Sequence, residues 1–171
     1  VWREMADNGW LGLSLPEAQG GIGLGMAEYC ALLEVFGAAL LPEPFVPAVL
    51  AARLLDGEQL TAQLSGERLL LPALQEQIDS LEAAEGGTRL HNGKVRGRKL
   101  CIPMAASADG FLVSTPDGLA LVDAKAPGVK LEIVTTQDGG HFGHLQLDSA
   151  PAETLPLQAQ ALADALDEAA L

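Results

Sequence analysis

Gly20, Gly21, Gly23 and Gly25 form the densest glycine cluster in the chain. Such a cluster can cradle a phosphate on bare backbone amides, but a dinucleotide site needs G-x-G-x-x-G/A at a strand-to-helix turn. Counting from Gly21 or Gly23 the sixth position is Met26 or Glu28, and counting from Gly20 the third is Ile22. No register fits, so the cluster reads as a turn before a helix, where glycine permits positive φ or a close backbone approach. His141 and His144 are a conceivable ligand pair. They sit among Gly139, Gly140 and Gly143 with no cysteine near, which favours a polar turn, and no metal site is expected. Cys30 and Cys101 lie in different segments without metal spacing, as reduced thiols of a cytoplasmic protein would.

The elements that must position these groups fall into two periods. Met26, Tyr29, Cys30, Leu33 and Phe36 recur at three- and four-residue steps, predicting a helix over 26–36 that stops at Gly37. Pro42, Pro44 and Pro47 make a stiff link, and a second helix is expected from near Pro47 to Gly57, with a short helical turn over 58–64. From about Arg68 the period becomes two. Strands are expected over 68–76, 88–91, 94–102, 111–115, 119–123, 129–134 and 143–148. Asn92-Gly93 and Pro116-Asp117-Gly118 are tight-turn signals, and strands joined without intervening helices predict an antiparallel sheet or barrel. Leu162, Ala165, Leu166 and Ala169 restore a helical stripe that runs to the last residue, as if further helices followed. The fold class is α+β: an N-terminal helical domain (1–66), an antiparallel β-barrel or sandwich domain (67–153) and the start of a C-terminal helical bundle (154–171).

Composition narrows the function. The chain has 171 residues, 10 basic against 23 acidic, for a net charge of -13. That balance repels a phosphate backbone, so nucleic acid is not an expected partner. Hydrophobic residues make up 49% but aromatics only 4%, and no apolar run reaches the roughly 18 residues of a membrane span. No signal peptide is visible. A stand-alone β-barrel binding module with a helical prefix is one possible class, and the open stripe ending at Leu171 argues against it.

Trp2, Gly9-Trp10, Pro16-Glu17 and Gly20-Gly21-Ile22-Gly23, in that order, resemble the N-terminal domain of the acyl-CoA dehydrogenase family of flavoproteins. The β half adds to it. Val95-Arg96-Gly97-Arg98-Lys99 resembles the family's hydrophobic-x-Gly-x-Lys strand, Ala108-Asp109 precedes the apolar strand Phe111-Leu112-Val113, and Pro127-Gly128-Val129 matches Pro-Gly-Val/Ile. The order of helices, β domain and further helices is also similar to that family.

The resemblance implies FAD-dependent α,β-desaturation of an acyl-CoA thioester, in fatty-acid or related acyl catabolism. In that chemistry a carboxylate removes the α-proton while a β-hydride passes to the flavin. It further implies a flavin wall built from two strand ends. The first, normally Thr-Glu-Pro, corresponds to Gln75-Glu76-Gln77 with Leu74 before it; the second, normally Trp-Ile-Thr/Ser, corresponds to Cys101-Ile102-Pro103. Pro103 departs from the pattern in having no N–H, and Cys101 in lacking the aromatic ring. Ser80 falls where many members hold acyl-CoA with Gly-Ser-Asp. None of Glu17, Glu34 or Glu76 has the context of the catalytic base; each reads as a turn, helix-surface or strand-end charge, so no catalytic residue is expected within these residues. The family also implies an electron-transfer flavoprotein as acceptor and homo- or hetero-oligomers. The departures at Cys101 and Pro103 leave open a non-catalytic or partner-dependent subunit.

Overall fold

The computed structural model describes residues 1–78 and 87–155; Ser80 and the expected terminal helical stripe lie outside the described residues. Four α-helices come first: α1 (Trp2–Asp7), α2 (Met26–Ala38), α3 (Phe45–Arg53) and α4 (Gly57–Leu64). Eight strands follow: β1 (Leu70–Ala73), β2 (Arg89–His91), β3 (Lys94–Pro103), β4 (Gly110–Thr115), β5 (Gly118–Asp123), β6 (Val129–Thr135), β7 (His141–Pro151) and β8 (Glu153–Leu155).

The glycine cluster lies against the preceding loop. Gly20, Gly21, Ile22, Gly23 and Leu24 donate their N–H groups to the carbonyls of Glu17, Pro16, Gly12, Leu15 and Leu13. These amides are consumed within the loop, which leaves none for a phosphate, and a side chain on Gly21 would collide with the backbone of Leu15. α2 then starts at Met26, where the Glu28 carboxylate accepts the Gly25 N–H at 3.0 Å. Its inward face meets Trp10 and Phe45 through Phe36, with ring centroids 5.3 and 4.9 Å away.

α3 starts and ends earlier than the proline pattern suggests. It runs from Phe45 to Arg53, with Pro47 in its first turn, where a missing N–H leaves no intrahelical bond unmade. Gly57, at φ 50°, opens α4 instead of closing α3.

The strands form two four-stranded sheets, β1-β4-β5-β8 and β2-β3-β7-β6. Leu71, Ala73, Val95, Ile102, Phe111, Val113, Val122, Leu145 and Leu147 fill the space between them. On its other face the first sheet packs Leu70, Leu112, Leu119 and Leu121 against Leu50, Leu54 and Leu60 of the helices. β4 is accordingly buried along its whole length. Pairing is antiparallel with one exception: β1 runs parallel to β4, Leu70 opposite Gly110 through Ala73 opposite Val113. The chain leaves β1 for the β2–β3 hairpin in the other sheet and returns through a 3-10 turn (Ala105–Ser107), so the hairpin serves as the crossover that parallel strands require. β1 is also shorter than the 68–76 alternation implies, which releases Leu74, Gln75 and Glu76 from the ladder.

A buried amide fastens the helices to the sheet. Gln63 of α4, fully buried, accepts the Leu70 N–H at 2.8 Å and donates to the carbonyls of Ala48 at 3.0 Å and Leu70 at 3.2 Å.

Candidate functional site

The two segments proposed as a flavin wall meet in the fold. Leu74, Gln75 and Glu76 follow β1, while Cys101, Ile102 and Pro103 end β3, and the Leu100 N–H donates to the Gln75 carbonyl at 2.7 Å. Lys99 joins them from beneath. Its Nζ donates to the Leu74 carbonyl at 3.0 Å, to Glu76 Oε1 at 2.7 Å and to Ser114 Oγ at 2.8 Å. Glu76 Oε2 in turn accepts the Thr88 N–H at 3.2 Å.

The side chains of Lys99 and Glu76 are 0% and 8% exposed, so both charges are desolvated. Burial alone would raise the carboxyl of Glu76, but bonds from Lys99 and Thr88, with the charge of Lys99, outweigh it and hold that carboxyl below its ordinary value. On Lys99 burial outweighs the pull of Glu76, and the ammonium sits below the usual lysine value. Glu76 is thus a buried structural charge and not the strand-end charge expected from sequence. Glu17 and Glu34 are exposed, on a 3-10 turn and on α2.

The far end of β3 is held by the histidines. A bulge between Lys99 and Ile102 puts Cys101 at φ 54°, a region L-residues adopt at a cost. Its N–H donates to His144 Nδ1 at 3.3 Å, and the Ala106 N–H donates to His141 Nε2 at 3.0 Å. The histidines lie within β7 and not in a turn. Their odd spacing sends them to opposite faces of the strand. Among the described residues no cluster of three metal-capable side chains occurs.

Sequence reasoning passed over Lys99 and the acceptor role of the histidines. For Lys99 a signal was present: it shares parity with Val95, which places it on the buried face of an alternating strand. A second feature it missed is a cavity of about 350 Å³ between helices and sheet, lined by Trp2, Pro42, Glu43, Pro44, Leu69 and Met104 among others.

The wall fits a flavin poorly. The Leu74 and Gln75 carbonyls and the Glu76 carboxylate already have partners, and Ile102 is buried. The Gln75 amide donates to the carbonyls of Gln77 and Ile78, and the Cys101 N–H is given to His144. Pro103, the one largely exposed member, has no N–H. A flavin's polar edge needs donors, and Cys101 and Pro103 at the end of β3 offer no free N–H.

Comparison with known proteins decides the family. Residues 1–55 match the family model described as acyl-CoA dehydrogenase, N-terminal domain. The chain is 32% identical to the acyl-CoA dehydrogenase FadE27 of Mycobacterium tuberculosis, over 90% of this chain and 44% of that protein. The chain belongs to the acyl-CoA dehydrogenase family. Among solved structures, this acyl-CoA dehydrogenase chain superimposes on the Tcur3481-Tcur3483 steroid ACAD G363A variant with a TM-score of 0.80 and 36% identity, over 98% of this chain and 50% of that one. The ChsE4-ChsE5 complex from Mycobacterium tuberculosis gives a TM-score of 0.78 and 28% identity, over 96% and 49%. The chain spans about half the length of the relatives it matches. Among the described residues no helix is long and apolar enough to cross a membrane.

Proposed function

We propose that this chain is part of a protomer in an acyl-CoA dehydrogenase assembly, one that carries out FAD-dependent α,β-desaturation of an acyl-CoA thioester, and that it is the partner-dependent protomer. The observation that carries this reading is the wall at the end of β3, where Pro103 has no N–H and the Cys101 N–H is bound to His144. A second chain of the family would then supply the donors that the flavin requires. Two of the similar solved structures have names that pair two components, ChsE4-ChsE5 and Tcur3481-Tcur3483, which supports a mixed oligomer. What this chain contributes is a rigid β wall and the helices packed on it. Ser80 stays a proposed contact for the thioester side. An electron-transfer flavoprotein is the proposed electron acceptor. The free thiols Cys30 and Cys101 suit a cytoplasmic setting.

The test is to purify the full-length protein alone and after co-expression with a neighbouring homologue, reading visible flavin absorbance and acyl-CoA oxidation. Straight-chain, branched and steroid-side-chain thioesters would serve as substrates, the last because one similar structure is called a steroid ACAD. Flavin and turnover that come only with the partner support the proposal. A yellow, active protein on its own replaces it with the self-sufficient enzyme. Colourless, inactive protein in both preparations sinks both.

A further inference from the structure

β6 is the outer strand of the β2-β3-β7-β6 sheet and pairs, among the described residues, with β7 alone. A strand edge offers unpaired N–H and C=O groups to any other chain, and proteins blunt it with a short strand, a proline, a bulge or a repelling charge. The other edges of the two sheets follow that rule: β2 and β8 have three residues each, and β1 has four with Pro72 among them. β6 does not. It runs seven residues without glycine or proline, and its register is unbroken from Val129 opposite Leu147 to Thr135 opposite His141. Its charges, Lys130 and Glu132, are one of each sign, so they do not repel a second copy of the same strand.

The ladder fixes which groups face outward. Just beyond its two ends, the Gly128 carbonyl accepts the Asp148 N–H at 2.9 Å and the Thr136 N–H donates to the Gly140 carbonyl at 3.0 Å. Even-numbered residues of β6 therefore exchange bonds with β7, and the N–H and C=O groups of Leu131, Ile133 and Thr135 point away from it, in the plane of the sheet. Side chains alternate between the two faces. Lys130 and Glu132 stand on the outer face, where neither makes an ion pair with the described residues. Val129 and Leu131 pack against the core from the inner face, and Ile133, on that same face, is left 40% exposed.

We propose that β6 is a self-association edge, on which β6 of a second copy of this chain lies antiparallel about a two-fold axis at Leu131. In that register the Leu131 N–H of each copy donates to the Leu131 carbonyl of the other, and each Ile133 N–H reaches the Val129 carbonyl across the axis. Lys130 of each copy comes opposite Glu132 of the other, repeated by symmetry, at the closely spaced positions of the ladder. Ile133 comes opposite Val129, which covers its exposed apolar surface. Charge selects this register from its neighbours. An axis at Lys130 or at Glu132 sets like charges against each other, and an axis at Ile133 leaves both charges without a partner. The contact joins copies of one chain, so it does not depend on which chain supplies the flavin's donors.

Analytical ultracentrifugation of the full-length protein over a range of concentrations, alone and with the co-expressed homologue, tests it. Wild-type particles should hold at least two copies of this chain. Lys130→Glu and Glu132→Lys each place like charges opposite one another and should weaken the association about tenfold or more. The charge-swapped Lys130→Glu/Glu132→Lys double variant should regain wild-type association. So should an equimolar mixture of the two single variants, whose charges complement each other. Ile133→Pro removes an outward N–H while leaving the bonds to β7 intact, and it should weaken association as well. These side chains are exposed, so circular dichroism should show the wild-type fold in every variant. Particles with one copy of this chain, or wild-type association in either single variant, would overturn the proposal. Losses that neither the swap nor the mixture restores would also overturn it, and would place a chain of different sequence on this edge. Flavin absorbance read on the same samples reports separately on the dependence of flavin on a partner.

Discussion

Replacing Lys99 by Met removes the ammonium that joins Leu74, Glu76 and Ser114 while keeping a chain of similar length. The Glu76 carboxylate would then be left at 8% exposure, with Thr88 as its remaining hydrogen-bond partner among the described residues. Breaking a buried ion pair from one side costs about 3–5 kcal/mol, because the surviving charge stays desolvated without compensation. For a protein of this size each kcal/mol lowers Tm by roughly 2–4 °C, so the variant should melt roughly 6–20 °C below wild type. Removing both charges gives the contrasting case. Lys99→Met with Glu76→Leu eliminates the stranded carboxylate, and replacing a buried pair by apolar residues is often close to neutral, so the double variant should recover about 2 kcal/mol or more of the loss. Thermal melts at pH 7 followed by far-UV circular dichroism, on wild type, both single variants and the double, complete the cycle. A Lys99→Met protein that melts within about 2 °C of wild type would refute the reasoning, as would a double variant whose loss equals the sum of the singles.

The acid limb of stability should depend on Glu76. Its folded carboxyl is held below the unfolded value of 4.5, so its contribution is complete above that pH and is lost as pH falls through the depressed folded value. Glu76→Gln should flatten a plot of Tm against pH in that range, and an unchanged acid limb would count against the assignment. Gln63→Leu should cost about 2–4 kcal/mol, since it strands the Leu70 N–H and the Ala48 carbonyl in the interior. Urea unfolding measures that loss, and a loss below about 1 kcal/mol would mean that the amide is not what fastens α4 to β1.

Much of this architecture could be read from the chain because local chemistry determined it. Asn92-Gly93 turns the β2–β3 hairpin, Pro116-Asp117-Gly118 turns β4 into β5, and the apolar spacing from Met26 to Phe36 makes α2. Parallel pairing of β1 with β4 was not legible, because it depends on where the intervening hairpin docks and not on any residue within either strand. The Pro47 signal misplaced α3 for a related reason: proline is tolerated throughout a first turn, so it dates a helix start only to within a few residues. The candidate wall was located from motif order, but the uses of its polar groups were not. The bond from Cys101 to His144 follows from a bulge that no pattern in the sequence marks.

The parallel pairing also has a consequence for synthesis. Leu69 and Asp109, whose mutual hydrogen bonds open the β1–β4 ladder, are 40 residues apart in the chain. At translation rates of roughly 5–20 residues per second, β1 waits roughly 2–8 s for its partner strand to be made. During that interval Leu70, on the helix-facing side, can be sheltered by helices already synthesised, and Gln63 is positioned to hold it against them. The helical segment is thus placed to act as an internal chaperone for the first strand, guarding an apolar edge on the ribosome until β4 emerges to cover it.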